Sequence, residues 1–314
     1  PMLAAALASS GRTKQAAETY AEMFGNTAAY STAQFMDAAR ALDEAGQYGL
    51  AVQACDIVLK SGAAAYETAA MLLRTRTLNS AALEAKDDAT AAENATKAYL
   101  QLEALMEKYG RTTVAIDAEL ALVTDVAPTV IGLLPKSPAL CEAVVFKGTP
   151  KDDRPADAQA ARNALISEVK NAVKFVTAQR KDYVTAAQLN LAVAQVAEKG
   201  FVAARDNGAE PEALREAAGS ALNAYTVAMS PGVNPETRQV VPVDDPAVTG
   251  YVQAAYVGYI RLAGERARLG ADDADRKAFF GDVVTFGNDY LAKFPNGKDA
   301  GYVKTQVQIA AQND

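Results

Sequence analysis

Apolar residues recur at three- and four-residue intervals through most of this chain, the spacing that lines one face of an α-helix. In the first third the pattern predicts helices over Thr13–Phe24, Thr32–Glu44 and Tyr48–Lys60, one from about Tyr66, then Ala91–Lys108 and Val114–Val126. Ser31-Thr32-Ala33-Gln34 has the form of a capping box, in which the serine hydroxyl and the glutamine side chain answer backbone N–H groups that a helix start leaves unpaired. Gly25, Gly46 and Gly62 stand where helices should stop, and glycine tolerates the left-handed conformation of a C-terminal cap.

The pattern then breaks. Pro128, Pro135, Pro138, Pro150 and Pro155 cannot all lie inside a continuous helix, so residues 128–155 are expected to form an irregular linker. Within it Ala143-Val144-Val145-Phe146 reads as one short strand. Helical periodicity resumes in Ala156–Gln179, Tyr183–Lys199, Pro211–Met229, Pro246–Leu269, Arg276–Lys293 and Lys298–Ala311. Asp245-Pro246 is a start signal, a capping acceptor before proline at the first helical position. Residues 230–245 form a second interruption that carries the β-prone Arg238-Gln239-Val240-Val241, a candidate partner for Val144–Phe146. The expected organisation is helical repeats over 1–127, a linker over 128–155, and helical hairpins over 156–314 interrupted at 230–245.

Gly11 and Gly46 lie 35 residues apart, each followed five residues later by alanine (Ala16, Ala51) and four later by Tyr20 or Cys55. A small residue lets two antiparallel helices approach, a larger one fills the groove, and glycine turns the chain. This resembles the tetratricopeptide repeat, whose period is close to this spacing. Phe35 and Leu42 fit the large positions of its first helix, Gly46 its turn, Ala51 the small position of its second helix and Cys55 the place of an aromatic. Phe279, Val283, Phe286, Tyr290 and Phe294 form one helical stripe ending in Lys293-Phe294-Pro295-Asn296-Gly297, which looks like the repeats of bacterial periplasmic envelope proteins. Leu105 to Gly110, followed by Ala115 and Ala118, is similar to a looser copy. The resemblance implies an all-α solenoid of stacked hairpins, a protein-binding surface as its use, and a periplasmic or extracellular setting, with the cytoplasm as the alternative.

Composition narrows the chemistry. Of 314 residues 50% are hydrophobic, so a sizeable core is available. Alanine supplies about a fifth of the chain and is the best helix former. A net charge of −7 argues against nucleic acid or an anionic membrane as partner. With no histidine, a Ser-His-Asp or Cys-His nucleophile and the usual zinc sites are out of reach. Cys55 and Cys141 lack metal-ligand spacing and read as buried thiols, or as one disulfide in an oxidising compartment. The longest apolar run, Val126–Leu134, is far short of a membrane span. Pro1-Met2 suits a processed or truncated chain, and Leu3–Ala8 is too short and lacks the basic flank of a signal peptide.

The polar constellations have structural readings. The pairs Asp87-Asp88, Asp152-Asp153, Asp244-Asp245 and Asp272-Asp273 each precede a helix, where carboxylates cap N–H groups and complement the dipole. Tyr256 and Tyr259 share a helix face and suit either core packing or a partner contact. Lys147, Lys151 and Arg154 are diluted by neighbouring aspartates, and no phosphate-binding glycine loop occurs. Asn94-Ala95-Thr96 is a glycosylation triplet placed inside a predicted helix. No catalytic, cofactor or metal residue is assigned. The expectation is a non-catalytic interaction scaffold or self-assembling subunit, possible as a filament because unequal solenoid ends meet head to tail. Its candidate interface residues are Leu3, Leu7, Val240, Val241, Val243, Tyr256, Tyr259 and Tyr302. Alternatives are a monomeric periplasmic adaptor for a peptide or envelope partner, and an enzyme using carboxylates or tyrosines in the middle region, whose signature would be perturbed carboxylates clustered in a cleft.

Overall fold

The computed structural model describes residues 10, 12–110, 112–147, 155–234 and 236–313, and among them the fold is all-α. Contacts divide the chain into two compact units, Pro1–Ala164 and Leu165–Asp314. In the first unit α1 (Thr13–Gly25) and a 3-10 turn (Thr27–Ala29) lead into α2 (Thr32–Glu44), α3 (Tyr48–Lys60), α4 (Ala64–Leu83) and α5 (Asp88–Tyr109). Shorter pieces follow: α6 (Thr113–Ala121), a π-helical turn (Leu122–Val126), α7 (Ala127–Leu133), a 3-10 turn (Leu134–Lys136) and α8 (Pro138–Phe146). The division between units falls within α9 (Ala158–Gln179). The second unit continues with α10 (Tyr183–Asp206), α11 (Pro211–Ala228), α12 (Thr249–Arg268), α13 (Asp273–Lys293) and α14 (Ala300–Ala311).

Helix ends follow their local chemistry. Ser31 and Gln34 form the expected capping box on α2. The side chains of Asp87, Asp182 and Asp272 accept N–H hydrogen bonds from Thr90, Thr185 and Asp275, so two of the four acidic pairs act as caps. Gly46 ends α2 with φ +69°, a conformation that side chains rarely adopt, and its N–H and that of Gln47 bond back to Asp43 and Leu42. Asp245 departs from expectation. It accepts from the N–H of Ala247 and, through its carbonyl, from Val248 and Thr249, so it caps a tight turn and α12 begins only at Thr249.

The linker expected over 128–155 is corrected for residues 128–147, which are largely helical. Pro138 occupies the first turn of α8, where no intrahelical N–H bond is lost, Pro128 follows directly on the π-helical turn that leads into α7, and Pro135 sits in the 3-10 turn between α7 and α8. Ala143–Phe146 is therefore helix and not strand, with Val144 and Phe146 buried, and it cannot pair with residues 238–241. Val114–Val126 is one element in outline, but its last five residues form a π-helical turn. Asp152, Asp153, Lys151 and Arg154 lie outside the described residues, as do Gly11, Leu3 and Leu7.

Packing is between neighbours in sequence. In the first unit α2 packs on α3, α3 on α4 and α4 on α5, and α2 also touches α4. Their core joins Tyr20 and Met23 of α1 to Phe35, Leu42, Ala51, Val58 and Ala70. Ala51 and Cys55 have no exposed surface, and both cysteines are free and buried. In the second unit α12 packs on α10, α11, α13 and α14, so α10, α12 and α14 lie side by side. A Cβ at Gly258 would collide with the ring of Tyr225, so the approach of α11 to α12 depends on that glycine. Arg266, buried at the end of α12, makes two bonds to Asp275 of α13 (2.9 and 3.1 Å) and lies over the ring of Phe279. Both units are thus stacks of helical hairpins, a solenoid-like arrangement.

Replacing Ala51 by leucine is expected to overpack the α2–α3 hairpin and cost about 1–3 kcal/mol. A thermal midpoint equal to that of the parent protein would show that this seam is not closely packed.

Candidate interaction surface

Tyrosines settle the register between helices. On α10, Glu198 accepts from the Tyr225 hydroxyl of α11 and from the guanidinium of Arg261 on α12, the latter through contacts of 2.7–3.0 Å. Tyr259 of α12 donates to Asp282 of α13 (2.9 Å), and Tyr256 of α12 donates to Asp289 (2.5 Å), which also holds Lys293 (2.7 Å). In the first unit Tyr109 donates to Glu67 (3.0 Å) and Tyr48 to Glu84 (2.9 Å), again between neighbouring helices.

Three of these phenols, Tyr225, Tyr256 and Tyr259, are weaker acids than an ordinary tyrosine. Burial first, then the charge of Glu198, pushes the Tyr225 hydroxyl far above the ordinary tyrosine value. Burial and the hydrogen bond to Asp282 do the same for Tyr259, and burial with Asp289 for Tyr256. Tyr256 and Tyr259, at 3% and 6% exposure, are consequently interior side chains that tie α12 to α13, not a surface pair. The carboxylates with displaced titration are dispersed. Hydrogen bonds from Arg266 and the Ala271 N–H hold Asp275 low, those from Lys108 and Tyr109 hold Glu67 low, and burial raises Asp125 beside the π-helical turn. Among the described residues no cluster of three or more Cys, Asp or Glu could hold a metal ion.

The described residues of the insertion, 230–234 and 236–245, form a small hairpin. Val233 and Val240 form an antiparallel bridge, flanked by the Val241 N–H to the Gly232 carbonyl (3.0 Å) and the Asn234 N–H to the Gln239 carbonyl (2.9 Å). The Asn234 side chain accepts from the N–H groups of Glu236 and Thr237, and Arg238 takes φ +59° to close the tip. At the base Val241 is buried with Ala187 and Val248, Val243 packs on the main core, and Tyr183 donates to Asp245 (3.3 Å). Val240, named above as a candidate interface residue, is 74% exposed, and its bridge partner Val233 is 52% exposed. The cause is alternation along the strand: with Val241 turned inward, its neighbour faces out. Side chains across such a non-hydrogen-bonded pair lie close together, so the two valines form one apolar knuckle in water.

A second surface runs along α10, α12 and α14. Arg261 and Arg268 are exposed on α12, and Tyr302, 39% exposed on α14, lies near enough to Arg261, Glu265, Glu198 and Arg268 for their charges to act on its hydroxyl. Arg205 of α10 bonds Glu265 of α12 (2.6 Å) in the same row. Of the residues expected at an interface, the described structure thus exposes Val240 and Tyr302, buries Val241, Tyr256 and Tyr259, and half-buries Val243. Val233, Arg261 and Arg268 escaped the sequence reading. The valine could have been found from its near-symmetric placement around the 234–239 turn, while the arginines carry no local signal. Among known proteins, no family model matches the chain and no curated protein matches it.

The raised hydroxyl groups give a signed prediction. A tyrosine whose folded value lies above its unfolded value of about 10 contributes stability that is complete below that pH and lost as pH rises through the folded value. Cys55, pushed up to about 12 by burial and by Asp56, acts in the same direction. The urea midpoint should fall between about pH 8 and pH 11, and less steeply in a Tyr225→Phe/Tyr259→Phe variant. At neutral pH Tyr225→Phe alone should cost about 1–2 kcal/mol, because Glu198 loses one of its two partners. A flat alkaline profile in the parent protein would remove the clasps from the account of stability.

Proposed function

We propose that this chain is a non-catalytic protein–protein interaction scaffold of tetratricopeptide kind whose partner is another copy of itself, working in the periplasm or outside the cell. The observation that carries the reading is the knuckle of Val233 and Val240, two valines held in water by a hairpin whose base is locked into the core. An ordered apolar projection of this kind gains free energy only when something covers it. The engagement of Tyr225, Tyr256 and Tyr259 in helix-to-helix hydrogen bonds with carboxylates supports the non-catalytic part. The turn at Lys293–Gly297, similar to that of envelope repeats, supports the setting. A monomeric adaptor is the second reading, favoured by the exposed Arg268 and Tyr302 along α12 and α14, a row suited to an acidic peptide. No helix among the described residues is long and apolar enough to cross a membrane.

Light scattering after size exclusion, with negative-stain microscopy, separates the two. The full chain is expected to form higher species with rising concentration, and Val233→Asp/Val240→Asp to shift it to monomer with its helical circular dichroism intact. A full-length monomer at high concentration would transfer the case to the adaptor.

A further inference from the structure

A hollow of about 360 Å3 opens in the first unit between the 3-10 turn Thr27–Ala29, the start of α2 and the end of α3. Its size falls in the range of small-molecule sites. Phe35, Ile57 and Val58 supply the apolar lining, and the ring of Tyr30 stands edge-on to Phe35 at 6.2 Å. Among the described residues three donors around it have no hydrogen-bond partner: the Lys60 ammonium, the Thr27 hydroxyl and the Tyr30 hydroxyl. The remaining hydroxyls are engaged, Ser61 donating to the Val58 carbonyl (2.7 Å) and Thr32 to Ser61 (3.5 Å). No carboxylate lines the hollow, in a chain whose acidic residues outnumber its basic ones 38 to 31. Lys97, Lys108 and Lys136 of this unit are each paired with an acid, whereas Lys60 and Lys86 are not, and of these two only Lys60 lines the hollow.

We propose that this hollow binds a small monocarboxylate with an apolar tail. The tail would lie against Phe35, Ile57 and Val58, and the carboxylate would accept from Lys60, with the Thr27 and Tyr30 hydroxyls as neutral donors. A charged donor facing an anion makes the stronger, shorter hydrogen bond, which selects acid over amide. An apolar amine meets one repelling charge and no acceptor of opposite sign. This site is independent of the assembly surface, which lies in the other unit.

The probe is 4-phenylbutyrate, with 4-phenylbutyramide as its uncharged isostere, titrated into the full-length protein and followed by backbone amide shifts. Saturable shifts at Thr27, Tyr30 and Ser61 are expected with the acid. The amide should bind about tenfold more weakly, and Lys60→Met, which keeps the aliphatic stem, should weaken the acid about tenfold while leaving the amide unchanged. No saturation up to about 10 mM, shifts centred elsewhere, or equal binding of acid and amide would overturn the proposal. Should the variant fail to fold, the acid–amide comparison on the parent protein decides alone.

Discussion

Close approach of antiparallel helices at seams of small side chains is the constraint from which the rest of this structure follows. Ala51 and Ala54 on α3 and Ala39 on α2 lie in the first unit's core without exposed surface. Ala218, Ala221, Ala255 and Ala263 do so in the second. Such seams allow the large residues, Phe35, Leu42, Tyr225 and Tyr290, to fill the grooves beside them rather than hold the helices apart. Gly258 is the limiting case, where even a methyl group would meet the Tyr225 ring. The same alanines that favour helix locally therefore also set how hairpins stack, so propensity and packing point to one answer.

Small seams fix distance but not register, because alanine slides over alanine with little cost. Register comes from directional bonds that cross the seams. Tyr225 to Glu198, Tyr256 to Asp289 and Tyr259 to Asp282 each fasten one helix to the next at a single longitudinal position. The Arg266–Asp275 pair pins the α12–α13 turn in the same way. An unpaired buried hydroxyl or carboxylate is costly, and a slipped stack would leave several, so these bonds act chiefly against misregistered alternatives.

With the helices so fastened, two surfaces of the second unit are left outside the seams. The hairpin at 230–245 is anchored through Val241 and Val243, which leaves Val233 and Val240 as its free side. The row on α10, α12 and α14 is polar because its outward positions on α12 include Arg261 and Arg268. The first is apolar and the second charged, and both adjoin α12.

Local patterns in the sequence determined the helices: α2 and α3 have the bounds that periodicity, the capping box and Gly46 indicate, because helix formation and capping are decided within a few residues. The same locality made the prolines misleading, since Pro138 begins a helix and Pro128 is carried within one behind a π-helical turn, outcomes set where α7 and α8 pack on α5. The alanine–glycine repeat likewise indicated stacked hairpins in advance. Tertiary structure alone decided which tyrosines are interior and which member of the Val240-Val241 pair turns inward. It also decided that Lys60, Thr27 and Tyr30 meet around one hollow. Those outcomes depend on partners 30 or so residues away along the chain, and neither helix periodicity nor composition carries information over that distance.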